Sequence, residues 1–310
     1  MLHEFSFLSD NGRDQVQAWI YVPACQPKGI IQIVHGFGEH SRRYFHMIVR
    51  FMEAGYIVAA DDHVGHGKTA AVGNTWGDYG PDAKPFTMAD DEKKLMDIAK
   101  EKYPGLPYFF FGHSMGSMIT RGVMCKYGDE LAGVTLCGTP GARFGGDNIA
   151  RLTALCEEGK GNEPQQGGLG DAKDGPMFSR IEEGVTIGNE WICHDPYVQR
   201  DHADDPFDGF YKSPTTNHSA LVMAQFGQMI QGLEWAEKVP KTLPVYNIGG
   251  DEDPVTGFGE GTYQVSNWLI DTGHAVKTKV YSGYRHEIHN YADIKDEVCD
   301  GIIAFFDGCL

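Results

Sequence analysis

Along the chain, apolar runs of strand length alternate with segments whose apolar positions recur every three to four residues, and glycines stand at the joints. Val16 to Val22 alternates, with Val16, Ala18, Ile20 and Val22 on one side, which predicts a half-buried strand near a sheet edge. Residues 29–34, Gly-Ile-Ile-Gln-Ile-Val, predict a more central strand. From Arg42 to Ala54 the period becomes helical, with Tyr44, Ile48, Phe51 and Met52 on one face and Gly55 as the stop. A strand over Tyr56–Ala60 precedes a helix near Thr87–Tyr103, which has an acidic first turn and is closed by Pro104. A strand over Pro107–Phe111, a helix over Met115–Tyr127 and a strand over Gly133–Cys137 continue the alternation. This β-α-β-α order predicts a mostly parallel sheet with helices on both faces.

The rhythm breaks over residues 143–212, which hold fourteen acidic and seven basic residues, many glycines and only short helical patterns (Ile149–Cys156, Ser179–Glu183). That composition predicts an insertion over the sheet, a cap, with 1–142 and 213–310 forming the core. The rhythm resumes with a helix carrying Val222, Phe226, Met229, Ile230 and Leu233, a strand over Leu243–Ile248, a helix before Gly273, a strand over Val276–Tyr281 and a last helix with Ile294, Val298, Ile302 and Phe305 on one face.

Composition narrows the function classes. A formal charge of −17 repels phosphate backbones and anionic headgroups, so nucleic acid is not an expected partner. No run approaches the roughly 18 apolar residues of a membrane span, and no secretory signal is visible between Met1 and Asp14, so the expected location is cytoplasmic. Seven widely spaced cysteines suit reduced, mostly core residues better than a disulfide framework or zinc ribbon.

Candidate chemistry follows the strands. Gly112-His113-Ser114-Met115-Gly116 is a G-x-S-x-G between a predicted strand and a predicted helix. Glycines two residues either side let the chain turn sharply, expose the Ser114 hydroxyl and aim a helix N-terminus at it. A serine needs a base and an acid that orients the base, which follow it in the order acid, histidine in this architecture. Asp251, Glu252 and Asp253 follow the strand ending at Ile248, and His286 follows the strand ending at Tyr281. Asp253 is preferred because Pro254 fixes the turn behind it. His289 competes with His286 and reads otherwise as a polar residue at the start of the last helix; His274 lies at the wrong end of its strand. The loop His35-Gly36-Phe37-Gly38-Glu39-His40 follows the strand ending at Val34, and the two oxyanion donors are assigned to the main-chain N–H groups of Phe37 and Met115.

His35 to Ser41, Asp62-His63-Val64-Gly65-His66-Gly67, Gly112 to Gly116, Gly250-x-x-Asp253 and Tyr281-x-Gly283-x-x-His286 occur in the order found in one family. Over about residues 28–140 and 240–310 the chain resembles the α/β-hydrolase branch that contains monoacylglycerol lipases, bacterial lysophospholipase-like proteins and the serine aminopeptidase grouping. The resemblance implies Ser114, Asp253 and His286 as triad, the Phe37 and Met115 amides as oxyanion hole, and substrate choice set by residues 143–212.

No metal or cofactor is expected. His286 and His289 are three apart, not the four of a zinc-protease helix, and the Asp61, Asp62, His63, His66 loop is structural in the family. The expected function is a serine ester hydrolase acting through an acyl-enzyme on acyl esters of small alcohols, such as monoacylglycerol or lysophospholipid. One alternative is an aminopeptidase of the same fold, using Glu182, Glu183, Glu190 or Asp195 to hold a substrate ammonium; another is a non-catalytic ligand-binding protein.

Overall fold

The computed structural model describes residues 1–142, 146–166, 175–208 and 214–310. Eight strands form one sheet: β1 (Leu2–Leu8), β2 (Gln15–Tyr21), β3 (Gly29–Val34), β4 (Tyr56–Asp62), β5 (Tyr108–His113), β6 (Gly133–Cys137), β7 (Val245–Gly250) and β8 (Val276–Tyr281), in the order β1-β2-β4-β3-β5-β6-β7-β8. The β1–β2 and β2–β4 pairs are antiparallel and the other five are parallel. The parallel strands β3 and β5 are buried along their whole length, as strands covered on both faces must be.

Successive side chains on these strands enter two separate cores. On one face Ile30, Tyr108, Phe110, Val134 and Val245 pack against helices α3 (Thr87–Lys102), α4 (Met115–Tyr127), α8 (Gly232–Ala236) and α9 (Glu260–Asp271). On the other, Ile31, Ile33, Phe109, Phe111 and Ile248 pack against α1 (Phe45–Glu53) and α10 (Lys295–Asp307) through Met47, Ile48, Phe51, Ile302 and Phe306. The period of two in the strands and of 3.6 in the helices therefore meets on both faces, the doubly wound arrangement expected from the sequence.

Register brings the strand ends together. Val34 lies opposite Gly112, His113 opposite Cys137, Cys137 opposite Ile248, and Gly250 opposite Tyr281. The loops that leave β3, β5, β6, β7 and β8 thus emerge side by side along one edge, where open α/β sheets place their sites.

Several expectations need correction. β1 was not expected, and β2, paired with β1 on one edge and β4 on the other, buries both sides over Ala18–Tyr21 because Ala18 and Ile20 enter one core and Trp19 and Tyr21 the other. Two further helices were not expected: α2 (Gly67–Gly73) and α6 (Pro196–Asp204). α6 is started by Asp195, whose carboxylate accepts the Tyr197 N–H, and by Pro196. The segment Ser179–Glu183 is turn, preceded by a single 3-10 turn at Pro176–Phe178; so short a piece has too few internal hydrogen bonds to offset helix nucleation. The expected helix over Ile149–Cys156 is present as α5 (Gly146–Glu157). The long apolar helix is divided into α7 (Asn217–Met229) and α8, because Gly232 turns the chain through φ 76. Of the seven free cysteines, Cys137, Cys193 and Cys299 are buried, Cys125, Cys156 and Cys309 half-buried and Cys25 exposed, so fewer are core residues than expected. Among the described residues no helix is long and apolar enough to cross a membrane.

Phe110 is fully buried at the centre of the sheet. Phe110→Ala is expected to lower unfolding free energy by about 3–5 kcal/mol in urea titrations, against less than about 1 kcal/mol for Phe45→Ala, whose side chain is 57% exposed.

Candidate active site

Ser114 occupies the junction between β5 and α4 with φ 54 and ψ −121. Such a conformation costs a non-glycine residue of order 1–3 kcal/mol, so the surroundings must impose it. A Cβ at Gly112 would strike Thr120 and the Gly116 carbonyl, and one at Gly116 would fall onto the carbonyl oxygens of Val34 and His35. The glycines thus allow strand, helix and the end of β3 to approach more closely than side chains permit. The Ser114 N–H donates to the Cys137 carbonyl (2.9 Å), and its own carbonyl accepts from Ser117 N (2.9 Å) and Met118 N (3.3 Å). Met115, the first residue of α4, has its main-chain N–H in the helix turn that lacks intrahelical acceptors.

The loop after β7 delivers Asp253, which is fully buried. Its Oδ1 accepts the Val255 N–H (2.8 Å), the turn that Pro254 forces, and its Oδ2 lies 2.8 Å from His286 Nδ1. The competing acids are occupied elsewhere: Asp251 accepts from Ser282 and Gly283, and Glu252 pairs with His194. Burial pushes the His286 imidazolium down, but the Asp253 carboxylate more than offsets it and leaves the ring above the ordinary histidine value. The nitrogen turned away from Asp253, Nε2, is buried with no hydrogen-bond partner. The ring packs on His113, the residue before Ser114, at 4.6 Å between centroids, and a Cβ at Gly138 would come within 3.0 Å of it. His286 is therefore confined beside the serine elbow. His289 has no carboxylate holding it as Asp253 holds His286: it sits in a 3-10 turn before α10, fully buried, both ring nitrogens without partners, and burial holds it well below its ordinary value. His274 is taken up by the carbonyls of Leu269 and Val239.

The loop after β3 is held by a second set of contacts. The His63 N–H donates to His35 Nε2 (3.0 Å), so the ring proton is on Nδ1, which donates to the Gly36 carbonyl (2.7 Å). Burial, with His63 and His66 nearby, keeps His35 well below the usual range and neutral. The Gly36 N–H donates to Glu39 Oε1 (2.6 Å). Both ends of residue 36 are thus fixed, and with them the peptide that carries the Phe37 N–H. Gly36 must lack a side chain, since a Cβ would lie 2.5 Å from Glu39 and 3.1 Å from Ser114 Cβ.

Glu39 is a site residue that sequence reasoning passed over, although it lies inside the quoted loop. Its carboxylate also accepts from Tyr44 Oη (2.6 Å) and Arg43 (2.9 Å) and lies 3.2 Å from His113 Nδ1. Burial disfavours its charge, yet His113 and Arg43 hold its pKa well below the usual carboxylate value. Arg43 is itself buried and bonds Glu287 twice (2.6 and 3.0 Å), which offsets burial and holds Glu287 down to about 2. A continuous buried ionic network therefore links the loop after β3, the 3-10 turn Ser41–Tyr44 that precedes α1, and the residue next to His286. No local signal marks it, because its members are 4 and 244 residues apart.

Residues 190–194 lie against this site: Glu287 N donates to the Ile192 carbonyl (2.8 Å), Arg285 donates to the Glu190 carbonyl (2.8 Å), and the Trp191 ring is 5.3 Å from that of His286. Phe207 packs on His40 and under Arg42. The acids that an ammonium-binding role requires are largely committed. Glu190 accepts the N–H groups of Thr186, Ile187 and Gly188, Glu183 pairs with Arg285, and Asp195 caps α6, leaving Glu182 on the surface.

A family model described as serine aminopeptidase, S33, matches residues 25–293. The chain belongs to this family. Within the S33 family and its structural neighbours, a thermostable carboxyl esterase from Bacillus coagulans, solved with glycerol, superposes with a TM-score of 0.93 at 54% identity, covering 99% of this chain and 98% of that one. A monoacylglycerol lipase of Mycolicibacterium smegmatis is 26% identical over 92% of this chain and 91% of its own. Human monoglyceride lipase is 34% identical over 37% and 36% of the two chains. As an S33 member the protein has the α/β-hydrolase fold that its motifs imply.

Glu39→Gln removes the charge but keeps the shape of the group that holds Gly36. It is expected to lower kcat about ten- to hundredfold at nearly constant KM for a soluble ester, less than the 10²–10³ lost with an oxyanion donor itself. An unchanged kcat would show that the loop holds its geometry without the carboxylate.

Proposed function

We propose that Ser114, Asp253 and His286 form the triad, and the Phe37 and Met115 N–H groups the oxyanion hole, through which this carboxylic ester hydrolase cleaves acyl esters of small alcohols, monoacylglycerols and lysophospholipids foremost. The buried Asp253–His286 pair, 2.8 Å apart beside the Ser114 elbow, is the observation that carries the reading. His286 Nε2 takes the serine proton as Oγ attacks the ester carbonyl. The oxyanion that forms is received by the two main-chain donors, the protonated His286 gives its proton to the departing alcohol, and water activated by the same ring then releases the acid. Asp253 keeps Nδ1 protonated so that Nε2 is the basic nitrogen. We take residues 143–212 as the cap that sets acyl and alcohol preference, a role supported by the placing of Trp191 against His286. The glycerol in the Bacillus coagulans esterase and the names of the lipase relatives favour a glyceride substrate. An aminopeptidase is not favoured, because three of its four candidate acids already have partners.

Ser114→Ala is expected to abolish hydrolysis of a 4-nitrophenyl ester and of monoacylglycerol, a loss on the order of 10⁶ in turnover, and to abolish fluorophosphonate labelling. Faster cleavage of an aminoacyl anilide than of the esters by the wild-type protein would reject the ester reading.

His286 must be neutral to accept the serine proton, and its pKa is raised above 6.5, so kcat/KM is expected to rise with pH through an apparent value above that figure. In Asp253→Asn burial loses its main opponent, and only the weaker fields of Glu287 and Glu39 remain against it. Turnover should fall on the order of 10⁴, and the acid limb of the profile should move to lower pH. A profile unmoved in this variant would assign the acid limb to another group.

A further inference from the structure

Among the described residues, three clusters bring three metal-type ligands together: His113, Cys137 and His289; Asp61, His63 and Glu92; and His40, Asp205 and Asp208. The first two are buried throughout. The third differs in access, because Asp205 lines an open groove whose walls include Tyr197, Arg200, Asp201 and Asp204.

Its geometry suits an ion. His40 Nε2 is 2.9 Å from Asp205 Oδ2 and 3.7 Å from Asp208 Oδ1. Ligands at about 2.0–2.1 Å from a tetrahedral zinc stand about 3.3 Å apart, a value these two separations bracket. Asp205 is braced for the role, since its Oδ1 accepts the Phe207 N–H (2.7 Å) and leaves Oδ2 toward His40. Asp208 is 3% exposed, and neither of its carboxylate oxygens has a hydrogen bond. Its nearest basic groups, Arg43 Nε at 3.6 Å, His40 Nε2 at 3.7 Å and His202 Nδ1 at 3.8 Å, stand beyond hydrogen-bond reach. Arg43 already serves Glu39 and Glu287. Glu39, Glu287, Asp205 and Asp208 thus share one guanidinium and the imidazoles of His40, His113 and His202, and a buried carboxylate without donors is costly unless it takes up a proton, as burial drives Asp208 to do by pushing it up to about 9, or a cation joins it.

We propose that His40 Nε2, Asp205 Oδ2 and Asp208 Oδ1 bind a divalent cation of the zinc type, with water from the groove completing the coordination. One imidazole with two carboxylates favours zinc over the harder calcium and magnesium ions. The ion would staple the segment after α6 to the loop that carries Phe37 and Glu39, and it leaves Ser114, His286 and Asp253 outside its coordination.

The test begins with wild-type protein dialysed against EDTA and then against metal-free buffer, titrated with zinc chloride. One zinc per chain is expected, with affinity at least 100-fold weaker in both Asp208→Asn and His40→Asn and unchanged in His194→Gln, which alters the exposed His194–Glu252 pair. At a hundredfold excess over Kd, zinc should raise Tm of the wild type by about 3–5 °C and leave that of Asp208→Asn unmoved. Equal zinc affinity in wild type and both variants, loss of binding in His194→Gln instead, or tighter binding of calcium than of zinc would overturn the proposal. Should the variants fail to fold by circular dichroism, anomalous diffraction at the zinc edge from wild-type crystals decides: a peak among the three ligands supports the site, and a peak elsewhere or none overturns it. Fluorophosphonate labelling of Ser114 is expected to survive EDTA, so failure of the metal site and failure of the hydrolase reading appear in separate measurements.

Discussion

The backbone of Ser114 at φ 54 is the constraint on which the rest of the site depends. A residue with a Cβ does not stay there unaided. It is held because β5, α4 and the end of β3 meet through glycines, with the carbonyls of Val34 and His35 filling the space that a side chain at residue 116 would need. The same close approach sets the loop after β3 against the serine and puts the Cys137 carbonyl in reach of the Ser114 N–H. Strain at one residue is thus sustained by the packing of three parallel strands, and the edge of the sheet becomes a rigid frame on which hydroxyl, imidazole and amides keep fixed relative positions. Preorganisation of this kind lets donors act without reorganising as charge develops.

Around this frame lies an ionic layer that an apolar core would not supply. Arg43, Glu39 and Glu287 are each almost wholly out of solvent, and removing charges from water costs several kcal/mol per ion. Their mutual hydrogen bonds offset that cost only in one arrangement, so the network is better understood as fixing geometry than as adding stability. It joins the loop that carries the Phe37 amide to the residue beside His286, two parts of the site brought together only by the fold. His35 complements it by pinning the Gly36 carbonyl while Glu39 pins the Gly36 N–H.

Much of this was legible in the chain. Parallel strands buried on both faces read as unbroken apolar runs, and Tyr108 to Phe111 followed by the glycine-flanked serine announces both strand and elbow. Asp253 and His286 were legible because each follows directly on a strand. β1 was not, because only Phe5 and Phe7 mark its inner side strongly and its outer residues are exposed. The split between α7 and α8 was hidden because Ile230 and Leu233 continue the helical period across the turn at Gly232. The Asp-Pro start of α6 is a readable signal, but it lies in a segment whose acidic, glycine-rich composition masks helical period. The ionic network and the His40–Asp205–Asp208 cluster were beyond sequence reasoning for another reason: their members lie up to 244 residues apart, and which charges share a buried space is decided only when the loops are placed.

The same point decides between the two hydrolase chemistries that the family's name and its relatives suggest. Counted along the sequence, the acids of residues 182–195 look like a ready cradle for a substrate ammonium. Placed in the fold, Glu190 accepts a row of three backbone N–H groups, which hold its pKa down to about 2 despite burial, so its oxygens are already engaged. Glu183 is spent on Arg285, and Asp195 on the first turn of α6. What this segment sets against His286 is the indole of Trp191, an apolar surface on which an acyl chain can pack. Acidic composition near a serine hydrolase site is therefore evidence for amine recognition only where the carboxylates are left without partners of their own.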